Sequence, residues 1–153
     1  KSIVGRLNYS PYLGLDVGAS IHVGAYDSTG AEGLTIVAID ANYNRGPYDF
    51  KGELANASVG GVDDDTRSGS RSGYYGQVGY HFLPGLLSQF PNSICTATFR
   101  YDSVDLGKGD NESRYTFGLN YRPEEETVLK FDYELYEEEG DRSGILFSVA
   151  SYF

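Results

Sequence analysis

The chain has 153 residues, with 12 Lys and Arg against 22 Asp and Glu, which gives a net charge of −10. This length suits one domain, and the acidity excludes a nucleic-acid backbone as the partner. With 20 Gly, 14 Tyr, 8 Phe and no Trp, Met or long apolar run, the composition favours strands and turns and excludes a membrane-spanning helix.

Strict alternation of apolar and polar residues recurs along the chain and predicts nine β-strands. The pattern is cleanest in the hairpin from Glu112 to Tyr136, where aromatic and aliphatic residues take one face and charged residues take the other. In chain order, the predicted strands are 2–10, 13–26, 34–44, 48–60, 74–82, 94–106, the two strands of the hairpin over 112–136, and 144–153.

The connections between these strands alternate in length and chemistry. Those after odd-numbered strands are marked by proline and mostly short, beginning with a tight turn at Ser10 and Pro11, whereas those after even-numbered strands are polar, glycine-rich or charged. The longest polar loop is 61–73. Short periplasmic turns and longer external loops give this asymmetry in outer-membrane barrels, which places the C-terminus on the periplasmic side. The fourth strand changes phase, so we expect a β-bulge near Leu54.

Strand length and aromatic residues favour a membrane barrel over a soluble sheet. The alternation persists beyond the roughly five or six residues usual in soluble proteins and reaches the roughly 9–11 that cross a bilayer. Aromatic residues cluster near the turn ends, as in the interfacial girdle of such barrels. We therefore expect an all-β fold, an antiparallel transmembrane β-barrel with 1–153 as a single domain or part of one. The girdle aromatics would be Tyr9, Tyr12, Tyr43, Tyr48, Phe50, Tyr80, Phe82, Tyr121 and Phe153.

The charged side of the alternation is the candidate lining of a water-filled pore. Basic and acidic residues nearly balance there, which favours a wettable, rigid charge ladder over a discriminating site for one anion. Pairing Arg122 with Glu126 across the hairpin loop would place Arg114 opposite Glu134. Replacing Arg100 or Arg114 by Glu is expected to shift ion selectivity towards cations. The candidate pore-lining residues are Arg6, Lys51, Arg100, Asp102, Arg114, Arg122, Lys130, Asp132 and Glu134, and Asp16, Asp40, Asp49 and Glu53 share their parity.

Other chemistry is sparse. His22 and His81 share the inner parity without a common partner, which favours polar lining over a metal site. The acidic clusters 63–65 and 137–139 fall in proposed external loops. They are interpreted either as solvated loop tips or as sites where calcium bridges to lipopolysaccharide. Cys95, on the lipid side, is explained as a small apolar contact. The chain has no nucleophile elbow, HExxH, CxxC or phosphate loop, so we expect neither an enzyme nor a cofactor.

Four segments of the sequence carry a resemblance to a known family: GYYGQVGYHFLPG, TFRYDSVDLG, RYTFGLNYRPEEETVLKFDYELY and LFSVASYF. They resemble the C-terminal half of the phosphate-selective porin O and P family. The likeness covers about residues 72–153, and the final Phe153 resembles the signal read by outer-membrane assembly machinery. The resemblance implies a trimeric porin of about 16–18 strands, so upstream sequence is expected to supply further strands. The family's phosphate-selecting basic residues lie largely in that upstream part, so phosphate selectivity does not carry over.

The expected function is therefore passive diffusion of small hydrophilic solutes and ions, with anions such as phosphate among them, through a pore in the bacterial outer membrane. The expected partners are outer-membrane lipid, lipopolysaccharide, the solutes themselves and further copies of the chain. Two alternatives stay open. One is a non-conducting barrel that anchors or scaffolds envelope proteins, and the other is a soluble β-sandwich or lipocalin-like binder with its aromatic face inward.

Overall fold

The computed structural model describes residues 1–25, 33–60, 69–107, 111–137 and 142–152. Within these ranges the chain forms nine strands and no helix, which confirms the all-β, antiparallel prediction. Each strand pairs with its neighbours in sequence to make one sheet, and the sheet stays open because its first and last strands do not pair with each other. The strands are β1 (Ser2–Tyr12), β2 (Leu15–Ala25), β3 (Gly33–Arg45), β4 (Tyr48–Gly60), β5 (Gly69–Phe82), β6 (Ile94–Asp105), β7 (Asn111–Glu124), β8 (Thr127–Tyr136) and β9 (Gly144–Ser151).

The strands are long, from 8 residues in β9 to 14 in β5 and β7. β5 extends into a segment that was predicted to be a loop. It begins at Gly69, inside the predicted 61–73 loop, because the alternation continues there with small polar residues instead of large apolar ones. β7 begins at Asn111, one residue before its predicted start. The rest of that loop, 61–68, together with the acidic cluster 63–65, residues 138–141 and Phe153, lies outside the described residues.

The first turn lies three residues later than predicted. β1 continues through Ser10 and Pro11 to Tyr12, with an irregularity in its pairing to β2 that begins after Tyr9. Proline is tolerated there because β1 is an edge strand and its pairing is interrupted. The chain reverses at Leu13 and Gly14, where the φ angle of Gly14 is +91°.

Gly14 allows β3 to come close to this turn, and we expect Gly14→Ala to destabilise the protein. The Asn44 amide donates a hydrogen bond of 2.7 Å to the Gly14 carbonyl oxygen, and a Cβ on residue 14 would collide with the backbone oxygen of Asn44. The combined collision and positive φ should cost about 1–3 kcal/mol in denaturant unfolding. Gly76→Ala is the matched control, because nothing lies within 4 Å of a Cβ placed there. Equal stability of the two variants would contradict the expectation.

β4 contains no bulge, so that prediction is wrong. Its pairing with β3 runs without a shift from Arg45 opposite Tyr48 to Gly33 opposite Gly60, and its pairing with β5 is equally regular. A bulge would break the hydrogen-bond ladder to two neighbouring strands, and the chain instead keeps the ladder and lets Ala55, Ala57 and Val59 share a face with Lys51 and Glu53. At this end of β4, apolar residues therefore lie on the otherwise charged face.

The pairing of β7 with β8 differs from the prediction by two residues. Arg114 lies opposite Tyr136, and Glu134 lies opposite Thr116. The chain reverses at a two-residue turn between Glu124 and Thr127, and the register shifts between Tyr121 and Glu124, where Pro123 has no N–H to donate. Because the error is an even number of residues, every side chain keeps its predicted face.

The two faces of the sheet differ in exposure. In β4 most side chains on the charged side are half-buried or buried, whereas the large side chains of the opposite side, such as Phe50 and Leu54, are exposed. No second layer covers either face, since Cys95 is the one buried hydrophobic residue in the described ranges. The difference therefore comes from curvature of the sheet, with the charged face concave. We name the concave side the inner face and the convex side the outer face.

The outer face carries an apolar band that we name the outer band. On β5 it extends from Tyr74 to Phe82, eight residue steps or about 26 Å along the strand, comparable to the roughly 25 Å apolar band of outer-membrane barrels. At the end of the sheet with the two-residue turns, the turn end, six aromatic rings form a continuous chain with centroids 5.1–6.4 Å apart. These rings are Tyr12, Tyr43, Phe50, Tyr48, Tyr80 and Phe82.

At the opposite end, the loop end, the outer face becomes polar. Small polar side chains follow the last large apolar ones on four consecutive strands, and some bond across the sheet: Asn56 Nδ2 donates to Ser70 Oγ at 2.9 Å, and Tyr101 Oη donates to Ser113 Oγ at 3.3 Å. The outer band thus has a defined boundary at each end. The border residues are Asn56, Ser58, Ser70, Ser72, Ser103, Asp105, Asn111 and Ser113.

Candidate pore-lining face

All nine candidate pore-lining residues lie on the inner face. They come from five different strands, and the common parity of the pairing places them on one side of the sheet. Arg6 is on β1, Lys51 on β4, Arg100 and Asp102 on β6, Arg114 and Arg122 on β7, and Lys130, Asp132 and Glu134 on β8. Arg71 and Glu112 also lie on this face. Neither was among the predicted lining residues, and Arg71 lies in the predicted 61–73 loop.

A four-residue ion-pair network spans β6 to β8 on the inner face. Arg100 Nε donates a hydrogen bond of 2.8 Å to Asp102 Oδ1, Arg114 Nε lies 3.6 Å from Asp102 Oδ2, and Arg114 Nη1 donates one of 3.1 Å to Glu134 Oε1. The guanidinium of Arg100 also stacks on Tyr75, 3.8 Å from the ring centroid. The predicted Arg114–Glu134 pair therefore forms, but diagonally, because an arginine side chain reaches the neighbour two residues away.

Arg114 is the central cation of this network, and Arg114→Met should destabilise the protein by about 1–3 kcal/mol in denaturant unfolding. The change removes a cation that is paired with two carboxylates, those of Asp102 and Glu134. Their side chains are only 13% and 18% exposed, so water does not replace the lost partner fully. Arg6→Met is the matched control, since Arg6 is 49% exposed in its pair with Asp40 and should cost no more than about 1 kcal/mol. Adding Asp102→Asn to Arg114→Met should recover part of the lost unfolding free energy. If the stability changes of the two single variants simply added up in the double variant, the two residues would not interact.

Two inner-face glycines let side chains meet across an intervening strand. Arg6 Nη2 on β1 donates a hydrogen bond of 2.8 Å to Asp40 Oδ1 on β3, and the bond passes over Gly18 of β2, where a Cβ would contact both side chains. In the same way, a Cβ on Gly118 of β7 would meet Thr98 of β6 and Asp132 of β8. The glycines on the polar side of the alternation therefore permit close approach on the inner face.

Three cations form a separate group on the inner face towards the turn end, which we name the basic cluster: Lys51, Arg122 and Lys130. They line one depression of about 330 Å³ together with Thr96, Thr98, Asn120 and Asp49, whose carboxylate lies 3.2 Å from His81. Within the described part of the chain none of the three cations has a carboxylate within 4 Å. The cluster therefore combines three cations and one carboxylate, a net positive charge, with hydroxyl and amide groups, the chemistry that attracts anions.

The two histidines lie at opposite ends of the sheet. His81, at the turn end, has Nε2 3.2 Å from Asp49 Oδ2 and Nδ1 2.8 Å from Thr96 Oγ1. His22, at the loop end, is opposite Ile36 and its Nδ1 is buried without a hydrogen-bond partner. Over the described ranges no group of three or more His, Cys, Asp or Glu residues could hold a metal ion. Cys95 is buried on the outer side between Phe82 and Tyr121 of the adjacent strands.

In the part of the chain that the structure covers, no helix is long and apolar enough to cross a membrane. No protein-family model, curated protein or solved structure matches the sequence. The resemblance to the phosphate-selective porin O and P family consequently stays a prediction, and any function must be argued from the sheet itself.

Proposed function

We propose that the sheet is part of the wall of a β-barrel in the bacterial outer membrane, and that the barrel is a porin through which small hydrophilic solutes and ions diffuse passively. The observation that carries this is the division between the two faces. A bounded apolar band lies outside and a charged, ion-paired surface lies on the concave side. Such a division suits a wall between hydrocarbon and water, and it would leave a large apolar surface exposed in a soluble monomer.

Closure of the wall requires further strands. The free edges of β1 and β9 would carry unpaired backbone groups in hydrocarbon, each costing several kcal/mol. Eight antiparallel steps separate the two edge strands, so they run in the same direction. A barrel closed only by antiparallel pairs therefore needs an odd number of additional strands between them. The apolar outer residues at the edges, Ile3 and Leu7 on β1 and Phe147 on β9, match such neighbours.

The basic cluster favours anions among the permeating ions. Lys51, Arg122 and Lys130 have no carboxylate partner in the described ranges, whereas Arg6, Arg100 and Arg114 are paired with Asp or Glu. Paired charges make the wall polar with little net field, and unpaired cations raise the local concentration of anions. Selectivity for phosphate in particular, assembly as a trimer and contact with lipopolysaccharide stay predictions from the sequence.

Planar-bilayer recording of the native protein tests this proposal. Detergent-purified protein added to a bilayer under a salt gradient should give discrete conductance steps, and the sign of the reversal potential should indicate more permeant anions. Heat-denatured protein is the control for detergent leaks. Folded protein that inserts into the bilayer without any conductance would overturn the pore and favour the non-conducting anchoring barrel instead.

A further inference from the structure

The inner face becomes apolar at the loop end of β3 and β4. Six apolar residues face inward there as three directly opposite pairs: Leu34 with Val59, Ile36 with Ala57, and Ala38 with Ala55. We name this group the inner apolar patch. On the outer face at the same level β4 is polar, where Ser58 lies opposite Thr35 and Asn56 donates a hydrogen bond to Ser70, while Val37 of β3 is apolar. Barrel interiors are generally polar, so an apolar patch on the inner side needs a specific explanation.

Neither lipid nor a protein core explains the inner apolar patch. The patch lies on the concave side of the sheet, away from the bilayer. Nothing in the described ranges packs on it either, because the described part of the chain forms a single sheet. On a water-filled inner face, the six apolar side chains of these three pairs would remain wetted unless a solute covered them.

Polar groups flank the patch on both sides and indicate what kind of solute this is. Ile36 lies opposite His22 of β2, and Ala57 lies opposite Arg71 of β5. The buried Nδ1 of His22 has no hydrogen-bond partner. Arg71 has no ion-pair partner within the described ranges. Glu112, which faces inward two strands away, is paired with Arg142 at 3.8 Å. At about 4.8 Å between strands, His22 and Arg71 are roughly 14 Å apart.

We propose that the inner apolar patch binds an organic anion, with its apolar body on Ile36, Ala57 and their neighbours and its carboxylate on the guanidinium of Arg71. Arginine presents two parallel N–H donors that match a carboxylate. This inference rests on the proposed function, since it requires that the inner face be water-filled. It identifies aromatic or short-chain aliphatic carboxylates as one class of solute.

Equilibrium binding of 2-naphthoate, followed by its own fluorescence, tests the proposal on protein reconstituted in lipid nanodiscs. Wild-type protein should bind it saturably above the level of empty nanodiscs, and acetate, which has no apolar body, should not compete at equal concentration. Arg71→Gln and the pair Ile36→Ser with Ala57→Ser should each weaken binding about tenfold or more, because each removes one of the two recognised groups.

Val37→Ser is the matched control, because Val37 is the next residue of β3 and faces outward. It should leave the dissociation constant within about twofold. Equal affinity of all variants, or no saturable binding, would overturn the proposal. The proposal would also be overturned if the wild-type protein did not bind naphthoate and Ile36→Ser lowered its stability. That result would mean that another segment of the protein covers the patch. The assay needs no ion flow, so saturable binding by a protein that is silent in bilayers would reject the pore alone.

Discussion

Leu119→Arg is expected to weaken the folding of this protein in lipid vesicles by about 2–4 kcal/mol, the cost of a cation near the bilayer midplane. Leu119 lies in the middle of the outer band on β7, between Ala97 and Phe131 of the adjacent strands, and is 48% exposed. Urea-dependent folding into vesicles, followed by tyrosine fluorescence and band shift, measures the difference. The expected effect is large because the residues directly opposite, Ala97 and Phe131, carry no group that can solvate the guanidinium.

Ser72→Arg is the matched control for Leu119→Arg. Ser72 also faces outward, but it belongs to the polar border at the loop end and lies opposite Asp105 of β6. An arginine there should cost no more than about 1 kcal/mol, as at a membrane interface, and the nearby carboxylate favours it. If both substitutions had the same effect in vesicles, the outer band would not be buried in hydrocarbon.

Charge reversal of the basic cluster is expected to change the ion preference of the pore. Lys51→Gln, Arg122→Gln and Lys130→Gln together remove three positive charges, and the same three changes to Glu remove six units of charge. The cation-to-anion permeability ratio should rise in two steps, by about tenfold overall at 0.1 M salt, where charges act over about 10 Å. Reversal potentials in planar bilayers measure the ratio, and the shift should shrink at 1 M salt.

Arg100→Glu combined with Arg114→Glu is a useful comparison for this series. From the sequence alone, glutamate at either position is expected to shift selectivity towards cations, but both arginines are held in the network with Asp102 and Glu134. A glutamate there places like charges side by side, so the main effect should be lost stability. If selectivity changed with these two positions and did not respond to Lys51, Arg122 and Lys130, the basic cluster would not line the ion path.

Outside the second half of β4, the sequence by itself determined which face each side chain takes. A strand alternates sides with a period of two, so the parity of Arg100, Arg114 and Lys130 was sufficient to place them together, and this placement survived an error of two residues in the pairing of β7 with β8. The all-β, antiparallel character followed from the same alternation and from the turn residues between strands. Strand existence was thus a local property of the chain.

The tertiary structure decided everything that depends on how neighbouring strands align. Hydrogen bonding to both neighbours kept β4 in phase, which put Ala57 inward and produced the inner apolar patch. The pair of Arg6 with Asp40 joins two strands that are not adjacent, across Gly18. Likewise, the separation of paired from unpaired cations emerged only once Lys51, Arg122 and Lys130 came together from three strands. Periodicity along one strand carries no information on its register, because register is a balance of cross-strand hydrogen bonds, turn geometry and side-chain contacts.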